Sequence, residues 1–161
     1  MDPTVQQYLK EHNIEYILHE HKAVFTCEEA AIHCKDVPGL PCKNLFLKDK
    51  KTNTFYLVVM PAKKRLQIKD LGKKLELKHL TFGKPEEMQA ILKLDPGSVS
   101  PLGLINDKEH KTTIIMDKDV WDAEIVSFHP NINTATLELK KEEFHKLIES
   151  FGNKKRLMDL T

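Results

Sequence analysis

The sequence predicts an α+β domain, or an irregular α/β one, with a mixed central β-sheet flanked by helices. Three observations lead there. The chain has 161 residues, enough for one domain with a sizeable core, so residues 1–161 read as a single unit. Its 40% apolar and 30% charged residues, with only 6 Gly, exclude a disordered or collagen-like chain. Strand-like and helix-like runs are interspersed without regular alternation and without an internal repeat.

In chain order, Asp2 and Pro3 supply an N-cap and a first helical position, and Val5, Tyr8 and Leu9 form one apolar face before Asn13 ends the turn. Ile14 to His19 alternates as a strand does. Thr26 with Glu29 three residues on makes a capping box, and Cys27, Ala30, Ala31 and Cys34 then fall on one stripe of a short helix. The loop Val37 to Pro41, with two prolines and a glycine, ends it. Leu45-Phe46-Leu47 and Phe55 to Met60 are β-rich runs joined by the polar turn Asp49 to Asn53, which predicts a hairpin. Asp70 to Leu77 and Pro85 to Leu92 read as helices, the second with proline at its first position and acids in its first turn. Leu94 to Leu104 holds two Pro, two Gly and two Ser and reads as a structured loop. Beyond it, Thr112 to Met116, Glu124 to Phe128 and Thr134 to Leu139 are strand-like. Phe144, Leu147, Ile148 and Phe151 mark a last helix closed by Gly152.

Net charge is +1, but position shows what the total conceals. Between Lys43 and Lys84 stand 12 basic residues against Asp49, Asp70 and Glu76, so this segment carries +9 and the rest of the chain −8. A phosphate backbone meeting one face would require such asymmetry, and a set of solvated lysines would equally produce it. No apolar run approaches the roughly 18 residues of a membrane span, and the first twelve residues lack the pattern of a secretory signal. The chain therefore reads as cytoplasmic, with no membrane partner. Three cysteines without a CxxC indicate neither a disulfide framework nor a zinc ribbon. His19, His21, Cys27, His33, Cys34 and Cys42 crowd one stretch, but the helical stripe at Cys27 and Cys34 reads as core, so no metal is expected.

With the periodic core positions set aside, four features remain, all at element ends. Lys43-Asn44 starts a strand, where an ammonium can fix a phosphate or carboxylate as a point charge. The turn Gly97-Ser98-Val99-Ser100-Pro101 can present backbone N–H groups to an anion or a developing oxyanion. His129-Pro130 sits at a strand end, and Asn131, Asn133 and Thr134 follow it. His129 has no Ser or Cys at a triad-like spacing. No P-loop, GxGxxG or HExxH is present, which demotes nucleotide-driven, redox and zinc-peptidase chemistry.

Three runs resemble the YbaK/ProX superfamily: Cys42-Lys43-Asn44-Leu45-Phe46-Leu47-Lys48-Asp49, Gly97 to Leu104, and Phe128-His129-Pro130 with Asn131, Asn133, Thr134 and Ala135. They stand in the superfamily's order, and the resemblance extends from about Tyr8 to Phe151. It implies the fold of the editing domain inserted in bacterial prolyl-tRNA synthetase, and aminoacyl-tRNA deacylation as the activity. The Lys-Asn-Leu-Phe-Leu-Lys-Asp form looks most like the ProX type, which hydrolyses alanine mischarged on proline tRNA; the Cys-tRNA(Pro) deacylases usually carry Lys-Thr where this chain has Lys43-Asn44.

The resemblance further implies hydrolysis without cofactor, metal or protein nucleophile. Lys43 would hold the phosphate of the terminal adenosine, and Gly97, Ser98, Val99, Ser100 and Pro101 would bind the carbonyl oxygen through backbone N–H groups. Water, helped by a ribose hydroxyl, would attack the ester. Asn44, His129, Asn133 and Thr134 would contact the aminoacyl end, with the His129 ring walling a small pocket. Lys50, Lys51, Lys63, Lys64 and Arg65 would meet the tRNA. The implied partner is proline tRNA carrying a small amino acid, with prolyl-tRNA synthetase as a second partner in cis or in trans. Two alternatives share the same basic face: a catalytically silent tRNA-binding or synthetase-complex domain, and a Cys-tRNA(Pro) deacylase.

Overall fold

The computed structural model describes residues 2–21, 38–132 and 134–160, and of Gly97 the backbone alone. The expected capping box at Thr26, the Cys27–Cys34 stripe and Asn133 lie outside the described residues.

Helix α1 is Pro3–Glu11, and the Thr4 N–H donates to Asp2 Oδ1 at 2.8 Å, the cap that the Asp-Pro pair predicts. Strand β1 is Ile17–Glu20. The hairpin is present as β2, Leu40–Asp49, and β3, Thr54–Pro61. Its turn is fixed by the buried Asp49 carboxylate, which accepts from Thr52 Oγ1 at 2.5 Å; that bond, foremost among the causes, holds the carboxyl below its ordinary value. Helix α2 is Ile68–Leu75, β4 is Leu80–Phe82 and α3 is Pro85–Ile91. The Pro/Gly/Ser stretch forms two 3₁₀ helices, Pro96–Ser98 and Pro101–Asn106. Then come β5, Thr112–Asp117; α4, Lys118–Asp122; β6, Ile125–Phe128; β7, Ala135–Lys140; α5, Lys141–Ser150; and β8, Lys155–Met158.

The strands form one mixed sheet in the order β1-β7-β6-β2-β3-β5-β8, with β4 on β2 as well. The pairs β2·β6, β3·β5 and β5·β8 are parallel and the others antiparallel, so the predicted mixed sheet is what forms. Strand alternation sends Phe46, Leu57, Val59, Ile114 and Met116 to a larger core, where Leu92, Leu94, Leu102, Leu104, Phe144 and Leu147 cover them. The opposite face carries Leu47, Val58, Met60 and Ile115 beneath Leu71 and Leu75 of α2 and beneath Leu160. Each face of the sheet thus has its own apolar cover.

β2 is the strand that shapes the site. Along one edge it pairs with β3 from Cys42 to Asp49. Along the other it pairs with β6 only at Leu40 and Pro41, and with β4 only from Leu47 to Asp49. Between these, from Cys42 to Phe46, no strand among the described residues joins that edge. The junction with β6 requires Gly39. Its φ is +97°, and an added Cβ would stand 2.7 Å from the Ile125 carbonyl oxygen.

Candidate active site

The residues that the sequence singled out lie on β2, at the end of β6 and in the Gly97–Pro101 loop. Lys43 and Asn44 lie on β2 within the opening, paired across β3 with Met60 and Val59. Alternation places Asn44 on the face of the larger core and Lys43 on the face of the smaller one. The Asn44 Oδ1 is buried without a hydrogen-bond partner among the described residues. An unmet buried acceptor costs on the order of 1–3 kcal/mol. The Lys43 ammonium donates to the Lys64 carbonyl oxygen.

β6 parts from β2 after Pro41, stays paired with β7 to its end at Phe128, and is followed by His129. His129 Nδ1 is 2.9 Å from the Ala135 carbonyl oxygen. A carbonyl only accepts, so Nδ1 carries the proton and the neutral ring keeps its lone pair on Nε2. Burial, first, and the neighbouring His21 push the His129 imidazole below its ordinary value, against the bond to Ala135. The two rings are 5.9 Å apart.

The loop Gly97–Pro101 is joined to this strand end by one hydroxyl. Ser100 Oγ donates to Asn131 Oδ1 at 2.7 Å and accepts from the Leu102 N–H at 3.0 Å. Ser100 is completely buried, so its hydroxyl caps the following 3₁₀ helix and holds Asn131. Asn131 itself has a left-handed backbone, with φ +64°. Ser98 N–H donates to Asp95 O at 2.9 Å, and Val99 packs against the larger core. Gly103 seats the loop, since a Cβ there would stand 2.6 Å from Leu94 Cδ1 and 3.1 Å from Leu92 Cβ. Thr134 is exposed, and its carbonyl accepts from the His21 N–H at 2.9 Å. Burial pushes the Cys42 thiol up to about 12, so Cys42 offers no thiolate at neutral pH.

The five basic positions expected at tRNA divide into two groups. Lys63, Lys64 and Arg65 follow β3 at the end of the sheet where Lys43 lies, and the Ala62 N–H donates to Pro41 O there at 2.9 Å. Lys50 and Lys51 are exposed on the hairpin turn at the other end. Seven residues of strand at about 3.3 Å each put them about 23 Å from Lys43. Lys63 and Arg65 are exposed, whereas the Lys64 ammonium lies 2.9 Å from Asp117 Oδ2 and 2.9 Å from Asp119 Oδ2. Burial works against its charge, but those two carboxylates outweigh it and raise its pKa. Sequence reading missed these partners because they stand more than fifty residues further along the chain. It also left Asn131 without a role, because its partner Ser100 stands 31 residues earlier in the chain.

Comparison with known proteins follows the same lines. The profile of the aminoacyl-tRNA editing domain matches residues 21–147. The prolyl-tRNA editing protein ProX of Acetoanaerobium sticklandii is 36% identical over 153 residues, covering 94% of this chain and 93% of that protein. The prolyl-tRNA synthetase associated domain-containing protein 1 of Xenopus laevis is 35% identical over 150 residues, 91% of this chain and 89% of that protein. A protein crystallised as a candidate trans-editing enzyme for prolyl tRNA synthetase superposes with a TM-score of 0.74 at 20% identity, covering 100% of this chain and 98% of the other, and shows the shared fold. With a profile match over most of its length and relatives 36% and 35% identical along nearly all of it, the chain belongs to the aminoacyl-tRNA editing domain family.

Proposed function

We propose that this chain hydrolyses the ester of proline tRNA mischarged with a small amino acid, alanine foremost, and releases the free amino acid and tRNA. The observation that carries the reading is the Asn44 Oδ1, buried in the opening of the sheet and unmet among the described residues, on the face against which Val99 of the Gly97–Pro101 loop packs. A buried acceptor with no donor of its own suits the α-ammonium of an aminoacyl ester or a ribose hydroxyl. Lys43 holds the phosphate of the terminal adenosine with the donors that its bond to Lys64 leaves over. The carbonyl oxygen rests on loop N–H groups other than that of Ser98, which Asp95 already takes. Ser100 is committed to Asn131 and Leu102 and Cys42 is protonated, which agrees with water as the nucleophile. The neutral His129 ring walls the side-chain pocket. The names of the relatives above, prolyl-tRNA editing among them, agree with proline tRNA as substrate and leave association with prolyl-tRNA synthetase as a further proposal.

One set of assays tests this. Release of amino acid from Ala-, Ser-, Cys- and Pro-tRNA(Pro) is followed with wild type, Lys43→Ala, Asn44→Ala and His129→Ala. Alanine is expected to be removed best and proline spared. Lys43→Ala should lose at least about a hundredfold with its fold intact, the loss expected when a charged hydrogen-bond partner is removed. His129→Ala should widen the side-chain range. A well-folded Lys43→Ala protein with wild-type turnover, or a uniform fall over all substrates in His129→Ala, sinks the corresponding role.

A further inference from the structure

Lys64 belongs by charge to the basic segment, yet its ammonium is turned inward among acids. It lies 2.9 Å from Asp117 Oδ2, 2.9 Å from Asp119 Oδ2 and 3.9 Å from Asp159 Oδ1. The Asp117 side chain is completely buried while that of Lys64 is 20% exposed. Asp117 Oδ1 also accepts the Asp119 N–H at 3.0 Å, which fixes the carboxylate at the start of α4. Three carboxylates around one ammonium keep that side chain from swinging out towards a polyanion.

The main chain of the same residue faces the other way. The Lys64 N–H donates to Pro61 O at 3.1 Å, closing the turn after β3, and its carbonyl accepts from the Lys43 ammonium. A continuous path therefore runs from the buried Asp117 through the side chain and then the carbonyl of Lys64 to Lys43. Lysine has a flexible four-carbon stem and three donors. One bond to a fixed carbonyl orients the ammonium and leaves two donors for a phosphate. Holding a charged group at its working position before substrate arrives is how a site avoids ordering it during binding.

We propose that Lys64 and Asp117 are positioning residues for Lys43: their ion pair fixes the turn whose carbonyl sets the Lys43 ammonium for phosphate binding. This rests on the reading of Lys43 given above. An ion pair that served stability alone would act independently of Lys43, and that difference can be measured.

The experiment is a double-mutant cycle read in single-turnover deacylation of Ala-tRNA(Pro), with thermal unfolding recorded for every variant. Lys64→Met keeps the stem and removes the charge. It should raise the enzyme concentration at half-maximal rate by tenfold or more while changing the maximal rate by less than threefold. Lys64→Arg, which restores donors to Asp117 and Asp119, should return the value to within threefold of wild type. In a Lys43→Gln background, Lys64→Met should change it by less than twofold. Asp119→Asn, at an exposed carboxylate, provides a milder cut of the same network and should move the half-maximal concentration in the same direction. An equal fold-loss in both backgrounds, or wild-type behaviour of Lys64→Met, overturns the proposal. Wild-type activity in Lys43→Gln alone overturns instead the reading of Lys43 on which it stands.

Discussion

His129 shows how one hydrogen bond assigns a tautomer and a pH response together. Its Nδ1 proton is spent on the Ala135 carbonyl, and burial resists a second proton on Nε2. The folded ring thus binds a proton less readily than the imidazole of the unfolded chain, whose ordinary value is 6.5. The sign of the linkage follows. The contribution to stability is complete above that value and is lost as the pH falls towards the lowered folded value, because the unfolded state then binds more protons. Urea midpoints compared at about pH 7.5 and about pH 5.5 should fall in wild type, and fall less in His129→Gln, which keeps a side-chain amide donor but cannot titrate. An equal fall in both proteins would place the acid sensitivity elsewhere.

At the scale of elements, β2 is left unpaired along the middle of one edge among the described residues. The strand is ten residues long, yet its outer neighbours, β6 and β4, hold only its two ends. Gly39 is the hinge of this arrangement, and Gly39→Ala combines a disfavoured backbone with a clash against main chain that no side-chain rotation relieves. It should cost about 2 kcal/mol or more in chemical denaturation and lower deacylation through misplacement of β6 and His129. The hairpin, α1, α3 and the last helix were legible from periodicity and capping residues, because each buries a regular stripe. The start of β2 was not. Leu40 and Pro41 read as the end of a loop because two prolines and Gly39 stand together there, whereas Lys43 and Asn44 were placed at a strand entry. β4, α4 and β8, three to five residues each, were also missed, being too short for a period to emerge. Of the site, Lys43, Asn44, the loop and His129 were nameable from the sequence as strand ends and a Gly/Pro turn. The acids that hold Lys64 were invisible, since only the parallel pairing of β3 with β5 brings Asp117 beside the turn after Pro61.

Across the whole molecule, the +9 segment does not form one uniform patch, since alternation along β2 sends Lys48 to the face of the larger core and Lys43 to that of the smaller one. Lys48 is paired with Glu87 and Lys64 with Asp117, and both are thereby withdrawn from a polyanion. Exposed cations of the segment include Lys63 and Arg65 near Lys43, Lys50 and Lys51 on the hairpin turn, and Lys78 and Lys84. Lys69 and Lys73 of α2 are exposed as well. If tRNA lies against Lys63 and Arg65, Lys63→Glu with Arg65→Glu should weaken binding and reduce the slope of log affinity against log salt by about 0.9 for each duplex phosphate no longer neutralised. Lys64→Glu should instead act through stability and through Lys43. Fluorescence or filter-binding titrations over a salt series distinguish these outcomes, and an unchanged slope in the Lys63/Arg65 variant would move the tRNA to another face.

The parallel strand β8 and the buried Leu160 complete the face of the sheet that carries Lys43, and the Lys74 ammonium fastens this segment by donating to the Asp159 carbonyl. Over Leu47, Val58, Met60 and Ile115, Leu71 and Leu75 of α2 supply one part of the cover and Leu160 another, so the part nearest the end of this sequence is the last to be added. A chain cut before Leu160 keeps Lys43, Lys64 and Asp117 but bares part of the apolar face on which Lys43 lies, so loss of the last few residues reaches the lysine through packing and not through its hydrogen bonds.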